Sequence, residues 1–532
     1  MKTKLENLFK SMDKKLILIL LVAFFLRIFK SWDVPTLHVD EGYAFYSAKC
    51  LLNYGKDIWG KGLSVYSSAW GAGMSMGYIY FSIPFLALFG QHLFIFRLPM
   101  ILMGTLAVYF MYKIGCFKSK NTGYIMALLY ATVPWSVMQQ RWALDCNFFI
   151  VLFIPGLYFM LKYLTEKKKS SLYTSLIIFG LSLYGYALSY LYVPVVLLFV
   201  VLFLMAKKEF VLKDWIVPSL ILFTIASPLM VFVFNNLFNL GITDFGIFEF
   251  PKLLRFRSNE VGFSPNNFIS LFNLVFLNTD NYVINTFYNT GLLYYWTFPF
   301  LCLGTYVMYC KEKTVLNSIM KRMFAISLLV PLFGFVAINA YKSMLYIIPA
   351  IYCICIGAEF ILEKVKKDFI KITLTSLYFL GVCLFFITYL FNQNAITSTY
   401  DYCMMPELTP WGVSDVIKYT EEHYPNEEKY IQFRRTFMTP ILFNELDVVP
   451  SEGNFEREIY YFDDGETVNY DDFGRVEDYI VFTKVEDGKL VRPGNTVEVG
   501  TLVDSLIIGL DGVEELSTKD KVYCSNRYCL YK

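Results

Sequence analysis

Residues 16–29, LILILLVAFFLRIF, form an almost unbroken apolar run, and residues 38–48, HVDEGYAFYSA, follow shortly after it. The first run approaches the length of about 20 residues with which a helix crosses the hydrocarbon of a bilayer. The second stretch opens with the acidic pair Asp40-Glu41. This succession predicts a membrane-spanning helix that delivers two carboxylates to the far surface of the membrane.

Apolar runs of this kind recur as far as residue 392, in a chain that is 56% hydrophobic and 19% aromatic. Such a composition excludes an ordinary soluble domain. No small-x-small cleavage site follows the first run, so we expect it to be retained as a span. We predict eleven spans, at about 16–32, 91–115, 121–139, 147–164, 171–188, 190–206, 215–234, 292–310, 323–340, 344–362 and 370–392.

Basic joints follow every second predicted span, at residues 113–120, 167–169, 207–213, 311–322 and 364–367. Because basic loops stay in the cytoplasm, we expect the N-terminus inside and, after an odd number of spans, the C-terminal domain outside. The same parity predicts four outer segments, 33–91, 140–147, 235–290 and 339–343. Within the first of them, Met76–Phe89 is semi-apolar and contains Pro84, which predicts an interfacial or re-entrant helix rather than a span.

Residues 396–532 differ from the rest of the chain in charge. They hold about 27 acidic and 13 basic residues, which leaves residues 1–395 with an excess of about 16 positive charges. This shift predicts two domains, a transmembrane domain over 1–395 and an acidic extracytoplasmic domain over 396–532. Helical spacing at 411–424 and short strand-like runs at 478–483, 496–503 and 521–531 predict an α/β fold. Cys524 and Cys529 could form a disulfide in an oxidising compartment.

Candidate catalytic residues come from two predicted outer segments that lie close to the membrane. Asp40 and Glu41 open a predicted helix, and Asp145 lies in the short loop 140–147. Carboxylates at the membrane surface cost solvation and usually have a function. A structural role is the alternative: stabilisation of a first helical turn, an N-cap, or an ion pair between Arg141 and Asp145. Two acids in one cavity suit general acid/base catalysis.

Other residues of these segments are candidates for binding. We expect His38, Tyr43 and Arg141 to line a donor or acceptor pocket. Basic residues of the outer segments, Lys342, Arg255 and Arg257, could bind a lipid phosphate, arginine in bidentate fashion. Interaction of Lys342 with lipid headgroups is the alternative. The sequence contains no nucleotide-binding motif, so a cytosolic nucleotide-sugar donor and a nucleic-acid partner are not expected.

The order of these motifs resembles the GT-C membrane glycosyltransferases, in particular the branch of protein O-mannosyltransferases and lipid A aminoarabinose transferases (glycosyltransferase family 39-like). Asp40-Glu41 correspond to the acidic pair of that family's first outer loop, and Asp145 to the acid of its second. Two further stretches, 94–99 (FIFRLP) and 186–194 (YALSYLYVP), resemble recurring family segments. The resemblance covers about residues 15–395 and implies an α-helical polytopic membrane protein of GT-C type, followed here by the predicted α/β domain.

The resemblance further implies inverting transfer of a sugar from a polyprenyl-phosphate donor to an extracytoplasmic cell-wall polymer, glycolipid or protein. Asp40 would then be the general base or orient the acceptor, with Glu41 in support and Asp145 as the second acid. No cofactor is assigned, and the use of a divalent cation, Mg²⁺ or Mn²⁺, stays open. The Lys-, Phe- and Tyr-rich composition favours a bacterial plasma membrane. Alternatives are a lipid-linked oligosaccharide ligase or polymerase and a non-enzymatic lipid or glycan flippase or transporter.

Overall fold

The structure, a computed structural model, describes most of the transmembrane part and separate segments of the C-terminal part. The described residues are 13–32, 34–35, 37–58, 60–67, 73–251, 253, 261–282, 284–287, 290–391, 413–427, 429–434, 480–486, 489–490, 506–510, 516–525 and 528–532. The predicted phosphate-binding residues Arg255 and Arg257 lie outside these residues, as does the predicted strand at 496–503.

Fifteen helices of the described chain precede residue 392, alongside two short hairpins. The helices are α1 (Lys14–Ile28), α2 (Val39–Tyr54), α3 (Gly77–Phe89), α4 (Leu93–Gly115), α5 (Lys120–Thr132), α6 (Pro134–Gln139), α7 (Asp145–Glu166), α8 (Lys169–Ser182), α9 (Ser189–Ala206), α10 (Leu212–Phe238), α11 (Asn266–Phe276), α12 (Phe298–Cys310), α13 (Val315–Gly334), α14 (Ile347–Lys364) and α15 (Asp368–Phe391). The hairpins pair β1 (Tyr66–Ser67) with β2 (Met74–Ser75), and β3 (Asp244–Phe245) with β4 (Phe248–Glu249).

Each of the eleven predicted spans coincides with helical structure, and the predicted helical membrane fold is confirmed. Seven helices of the described chain are long and apolar enough to cross a membrane by length and composition. The remaining four predicted spans correspond to shorter helices: α1, α5 followed by α6, α8 and α12. The third span is divided because Pro134 starts a new helix directly after Val133 leaves the helical backbone conformation.

The predicted limits of the ninth span, 323–340, were wrong. The helix α13 runs over Val315–Gly334, and the side chain of Thr314 caps its start by accepting from the N–H of Asn317 at 3.1 Å. Arg322 therefore lies within the helix, and its guanidinium packs 4.6 Å from the ring centroid of Phe203. A long basic side chain can lie along apolar surface in this way. The position of Arg322 in the sequence therefore did not mark the start of α13.

Contacts between distant segments gather the predicted outer segments at one end of the helices. Ser75 contacts Asp145, Gly62 contacts Glu249, and Asp280 contacts Ala340, in each case through a hydrogen bond. Basic joints gather likewise: the ammonium group of Lys118 lies 2.8 Å from Glu359 and 3.3 Å from Glu312. We call the first group of segments the outer end, as predicted from the sequence. The orientation of the two ends relative to the membrane stays a prediction.

The segment predicted as an interfacial or re-entrant helix is the helix α3, which packs against α2, α4 and α7. Its first residue, Gly77, lies so close to the end of α8 that an added Cβ would meet the carbonyl oxygen of Tyr184 at 2.3 Å. The N–H of Gly77 donates to this oxygen at 3.0 Å. Only glycine allows such an approach, which fixes the β1–β2 hairpin relative to α8.

The C-terminal segments have the predicted α/β character. A six-stranded sheet has the order β7-β6-β5-β8-β10-β9, in which β5 pairs parallel with β8 and the other pairs are antiparallel. Its strands are β5 (Lys429–Arg434), β6 (Ile480–Glu486), β7 (Lys489–Leu490), β8 (Leu506–Leu510), β9 (Lys521–Ser525) and β10 (Tyr528–Tyr531), and α16 (Val413–His423) packs on β8, β9 and β10. A Cys524–Cys529 disulfide links β9 to β10. The boundary proposed at residue 395 falls outside the described residues and stays a prediction.

Candidate active site

The acidic pair opens helix α2, as predicted, and the two carboxylates have different surroundings. His38 caps the helix, because its Nδ1 accepts from the N–H of Asp40 at 3.1 Å. A neutral His38 therefore carries its proton on Nε2. The side chain of Asp40 is 40% exposed and its Oδ2 lies 3.8 Å from Nδ1 of His38. Asp40 is thus the member of the pair that can meet a substrate.

Glu41 is fully buried and forms a bidentate ion pair with Arg97 of α4. The distances are 2.8 Å from Nε to Oε1 and 2.5 Å from Nη2 to Oε2, and Arg97 is itself 0% exposed. The N–H of Ala143 also donates to Oε1 at 2.8 Å, while Nη1 of Arg97 donates to the carbonyl oxygens of Ser31 and Pro35. The pair therefore joins α2 and α4 to the end of α1 and to the loop before α7.

Asp145 is the first residue of α7 and is half-buried. Its Oδ1 accepts from the N–H of Cys146 at 2.6 Å, and its Oδ2 accepts from the N–H of Ser75 at 3.3 Å. The N-cap position of α7 is occupied by Leu144, so the N-cap role that the sequence offered as an alternative for Asp145 is wrong. The second contact reaches the β1–β2 hairpin of the first outer segment.

The segments that carry Asp40 and Asp145 meet at the outer end. Glu41, next to Asp40, accepts from the N–H of Ala143, two residues before Asp145, and the ring of His38 packs on Trp142. Tyr43 follows Asp40 by three residues, so the two share one face of α2. The hydroxyls of Tyr43 and Ser67 lie 3.2 Å apart, and the Ser67 hydroxyl donates to buried Asp57 at 3.4 Å. The structure thus adds Ser67 and Asp57 to the predicted residues of this region.

Two other predicted pocket residues are buried. His38 is 3% exposed, and its ring packs edge-on against Trp142 with 6.1 Å between centroids. Arg141 is fully buried, and its guanidinium donates to the carbonyl oxygens of Leu26, Phe29 and Val34. Burial lowers the pKa of Arg141 to about 10, so it remains charged at neutral pH. The guanidinium holds backbone segments together, and a pocket role for either residue stays a prediction.

Lys342 lies in the turn between α13 and α14, at the outer end. Its N–H donates to the side-chain oxygen of Asn339 at 2.9 Å, and its carbonyl oxygen accepts from the Tyr192 hydroxyl at 2.5 Å. Two residues earlier, the N–H of Ala340 donates to the carboxylate of Asp280 at 2.8 Å. The backbone of Lys342 is therefore fixed from two sides, while phosphate binding by its ammonium group stays a prediction.

The described residues contain no group of three His, Cys, Asp or Glu side chains that is placed to hold a metal ion. His38 already uses Nδ1 as the helix cap. The use of a divalent cation, Mg²⁺ or Mn²⁺, is neither supported nor contradicted by the described residues.

Arg97 is the residue whose importance the sequence least revealed. The sequence showed it only as part of the stretch 94–99, whereas the structure makes it the partner of Glu41. One signal was available: an arginine within an apolar helix needs a buried partner. Ser75 and Asp57 carried no signal of comparable strength, because serine and aspartate are common in loops.

The described geometry can be compared with known proteins. A family model for dolichyl-phosphate-mannose-protein mannosyltransferases matches residues 75–232, which include α3, α4 and Asp145. The structure of ArnT from Cupriavidus metallidurans bound to undecaprenyl phosphate is similar over 97% of each chain, with 11% identity and a TM-score of 0.58. No protein of curated function is similar enough in sequence to count as a relative.

An oligosaccharyltransferase from Archaeoglobus fulgidus has a related structure. Tethered to an acceptor peptide with the NVT sequon, it matches over 84% of this chain and 60% of its own length, with 13% identity and a TM-score of 0.51. In complex with Zn and sulfate, it matches over 85% of this chain and 59% of its own, with 14% identity and a TM-score of 0.50. This chain thus spans about 60% of that enzyme's length.

These findings confirm the resemblance predicted from the sequence. The fold is that of the GT-C membrane glycosyltransferases. Within that class, the similarity to ArnT extends over almost the whole of both chains, whereas the oligosaccharyltransferase has a large part without counterpart here.

Proposed function

We propose that this protein transfers a sugar from a polyprenyl-phosphate donor to an acceptor hydroxyl at the outer membrane surface. The observation that carries this proposal is the contact, at the outer end of a GT-C fold, between the start of α2 with Asp40 and the loop that leads into Asp145. ArnT, which was solved with undecaprenyl phosphate, supports a polyprenyl carrier. The acceptor is a cell-wall polymer, glycolipid or protein of a bacterial envelope.

In the proposed reaction, the acceptor oxygen attacks the anomeric carbon from the face opposite the phosphate. Asp40 takes the hydroxyl proton, the new glycosidic bond forms, and the bond from the anomeric carbon to the phosphate oxygen breaks. The electron pair leaves with the polyprenyl phosphate, whose charge Lys342 stabilises, together with Arg255 and Arg257 of the same predicted outer side. Asp145 stabilises the positive charge that develops on the sugar.

Glu41 supports this reaction as a positioning residue. Its two oxygens are taken by Arg97 and by the N–H of Ala143, so it has no free face for a substrate proton. The pair instead fixes the first turn of α2, which carries Asp40, relative to the loop that leads into Asp145. Rigid support of this kind keeps catalytic groups in their productive geometry.

The test is transfer from undecaprenyl-phosphate hexoses to cell-envelope acceptors, followed by mass spectrometry, with wild type and Asp40→Asn. We expect a mass gain of one sugar with wild type and a loss of rate of at least about 100-fold in the variant, as for removal of a general base. Asp368→Asn is the matched control, since it removes an exposed acid from the first turn of α15. Full activity of a folded Asp40→Asn variant would refute the role of Asp40.

The similarity to the oligosaccharyltransferase favours a second candidate, an enzyme that transfers a whole glycan from the lipid. The two candidates differ in the mass added to the acceptor: one sugar or an oligosaccharide. We favour single-sugar transfer because ArnT and this chain match over nearly their full lengths. An oligosaccharide-sized gain, lost in Asp40→Asn, would select the second candidate.

A further inference from the structure

Helix α11, in the third outer segment, exposes apolar side chains and buries a polar one. Three phenylalanines at intervals of four residues share its exposed face, and each is more than half exposed: Phe268, Phe272 and Phe276. Asn267 is buried, and its side-chain amide donates to the carbonyl oxygens of Leu332 at 3.2 Å and of Phe335 at 2.5 Å. A helix on a water-facing surface has the opposite distribution. The exposed face of α11 therefore fits an apolar environment.

The two ends of α11 lie beside the outer ends of two different helices. Before its start, the N–H of Gly262 donates at 3.1 Å to the carbonyl oxygen of Gly334, the last residue of α13. At its end, the ring of Phe276 lies 6.1 Å from that of Phe298, the first residue of α12. The helix thus runs across the outer end. Its 11 residues extend over about 16 Å, which is too short to cross the hydrocarbon of a bilayer.

The exposed face of α11 is continuous with the exposed surface of α13. The ring of Phe263, just before α11, stacks on that of Phe333 at 5.8 Å and lies 6.2 Å from that of Phe268. Phe333 and Leu329 of α13 are both about half exposed, and α13 is long and apolar enough to cross a membrane. Lipid covers the exposed apolar side chains of such a helix, so the adjoining face of α11 lies next to the same lipid.

We propose that α11 is an in-plane membrane anchor, whose phenylalanine face inserts among the acyl chains of the leaflet at the outer end. Tryptophan and tyrosine favour the headgroup level because they have a polar group, whereas the exposed face of α11 carries phenylalanine. Helices of this kind insert about 5–10 Å into the boundary between headgroups and acyl chains. The sequence of α11 contains no charged residue, so the anchor needs no anionic lipid and does not depend on which reaction the protein catalyses.

The anchor determines the depth of the segment that follows it. Just after α11, the N–H of Thr279 donates to the carbonyl oxygen of Asn273 at 3.2 Å, which ties the chain to the last turns of the helix. Asp280 comes next and accepts from the N–H of Ala340 at 2.8 Å, in the turn that carries Lys342. Insertion of α11 thus holds this turn at a fixed distance from the membrane surface.

The test uses p-benzoylphenylalanine, which on illumination forms a covalent bond to a neighbouring C–H group. It replaces Phe272 in the full chain, which is reconstituted in vesicles of dioleoylphosphatidylcholine, illuminated and digested. Peptide masses are measured before and after saponification of the lipid esters. We expect a phospholipid adduct that saponification reduces to one oleic acid on the peptide, because the bond is to an acyl chain. The same replacement of Phe268 gives a second reading if the first variant does not fold.

Two further positions serve as controls for this experiment. Leu329 is exposed on α13 and should give the same acyl adduct, whereas Lys56 is exposed in the first outer segment and should not. We expect a yield at Phe272 at least about 10-fold above that at Lys56, the factor that transfer of one phenylalanine side chain from water supports. The anchor is overturned by a yield no higher than at Lys56, or by an adduct that keeps glycerophosphocholine after saponification. A cross-link to a copurified polyprenyl lipid or to a second copy of the chain overturns it as well.

Discussion

Asp40 and Glu41 are neighbours in sequence and identical in charge, yet the structure gives them opposite environments. Successive residues of a helix point about 100° apart, so one carboxylate of the pair faces the protein while the other reaches the surface. Glu41 points to Arg97 and is fully buried, whereas Asp40 is 40% exposed. We therefore expect the two residues to respond differently to substitution: Asp40 through the reaction and Glu41 through the fold.

Replacement of Arg97 by alanine should leave Glu41 buried without its counter-charge. Loss of one partner of a buried ion pair costs about 3–5 kcal/mol, so we expect a clear fall in Tm in detergent. The double variant Glu41→Gln/Arg97→Met should recover part of this loss, because no unpaired charge remains. Asp40→Asn should leave Tm close to wild type. An unchanged Tm in Arg97→Ala would show that the pair contributes nothing to the fold.

Among the larger elements, the turn between α13 and α14 depends on an aspartate that lies 60 residues before it. Asp280 accepts four hydrogen bonds: from the N–H groups of Tyr282 and Ala340 and from the side chains of Asn285 and Thr286. It is largely buried, and burial raises the pKa of its carboxyl group. This carboxylate thus attaches the third outer segment to the turn that carries Lys342.

Asp280→Asn should loosen this attachment, because the new amide nitrogen would face two donors where an oxygen accepted them. We expect Tm to fall by an amount that corresponds to about 1–3 kcal/mol. If Lys342 binds the donor phosphate, the KM for the donor should also rise, with a smaller change in kcat. Asp244→Asn, an exposed change in the same outer segment, should alter neither quantity. Equal Tm and KM in both variants would argue against the attachment.

At the scale of the whole molecule, the predicted orientation decides which end meets the cell envelope. Contacts collect the acidic candidates at one end and the basic joints at the other, and the predicted loop parity places the former outside. The Cys524–Cys529 disulfide agrees with an extracytoplasmic C-terminal domain, since disulfides persist in oxidising compartments.

Single cysteines at exposed positions test this orientation. We expect Lys56→Cys, in the first outer segment, to react with a membrane-impermeant maleimide in intact cells, and Lys168→Cys to react only after permeabilisation. Both lysines are exposed in the structure. Wild type is the control, because it shows the background from the native cysteines. The reverse pattern would invert the topology and place Asp40 in the cytoplasm, which would contradict the proposed use of an outer-surface acceptor.

Local properties of the sequence were sufficient to predict most of the architecture. The spans follow from the length of apolar runs, and the start of α2 follows from the acids after the first span. The division into two domains at residue 395 stays a prediction. The predicted helix limits were inaccurate where a residue type is compatible with both a helix and a helix boundary. Arg322 was interpreted as part of a loop, but it lies within α13, where its side chain packs on Phe203 of α9. Pro134 divided a predicted single span into two helices.

The sequence alone predicted carboxylates at one membrane surface, and only the tertiary structure decided which partners each of them contacts. Glu41 meets Arg97 from 56 residues away, and Asp145 meets Ser75 from 70 residues away. Such partners depend on which helices pack together, and packing is a property of the whole chain rather than of any local window. Burial and hydrogen bonding then distinguish two neighbouring acids: Glu41 is fully buried in an ion pair, and Asp40 is partly exposed.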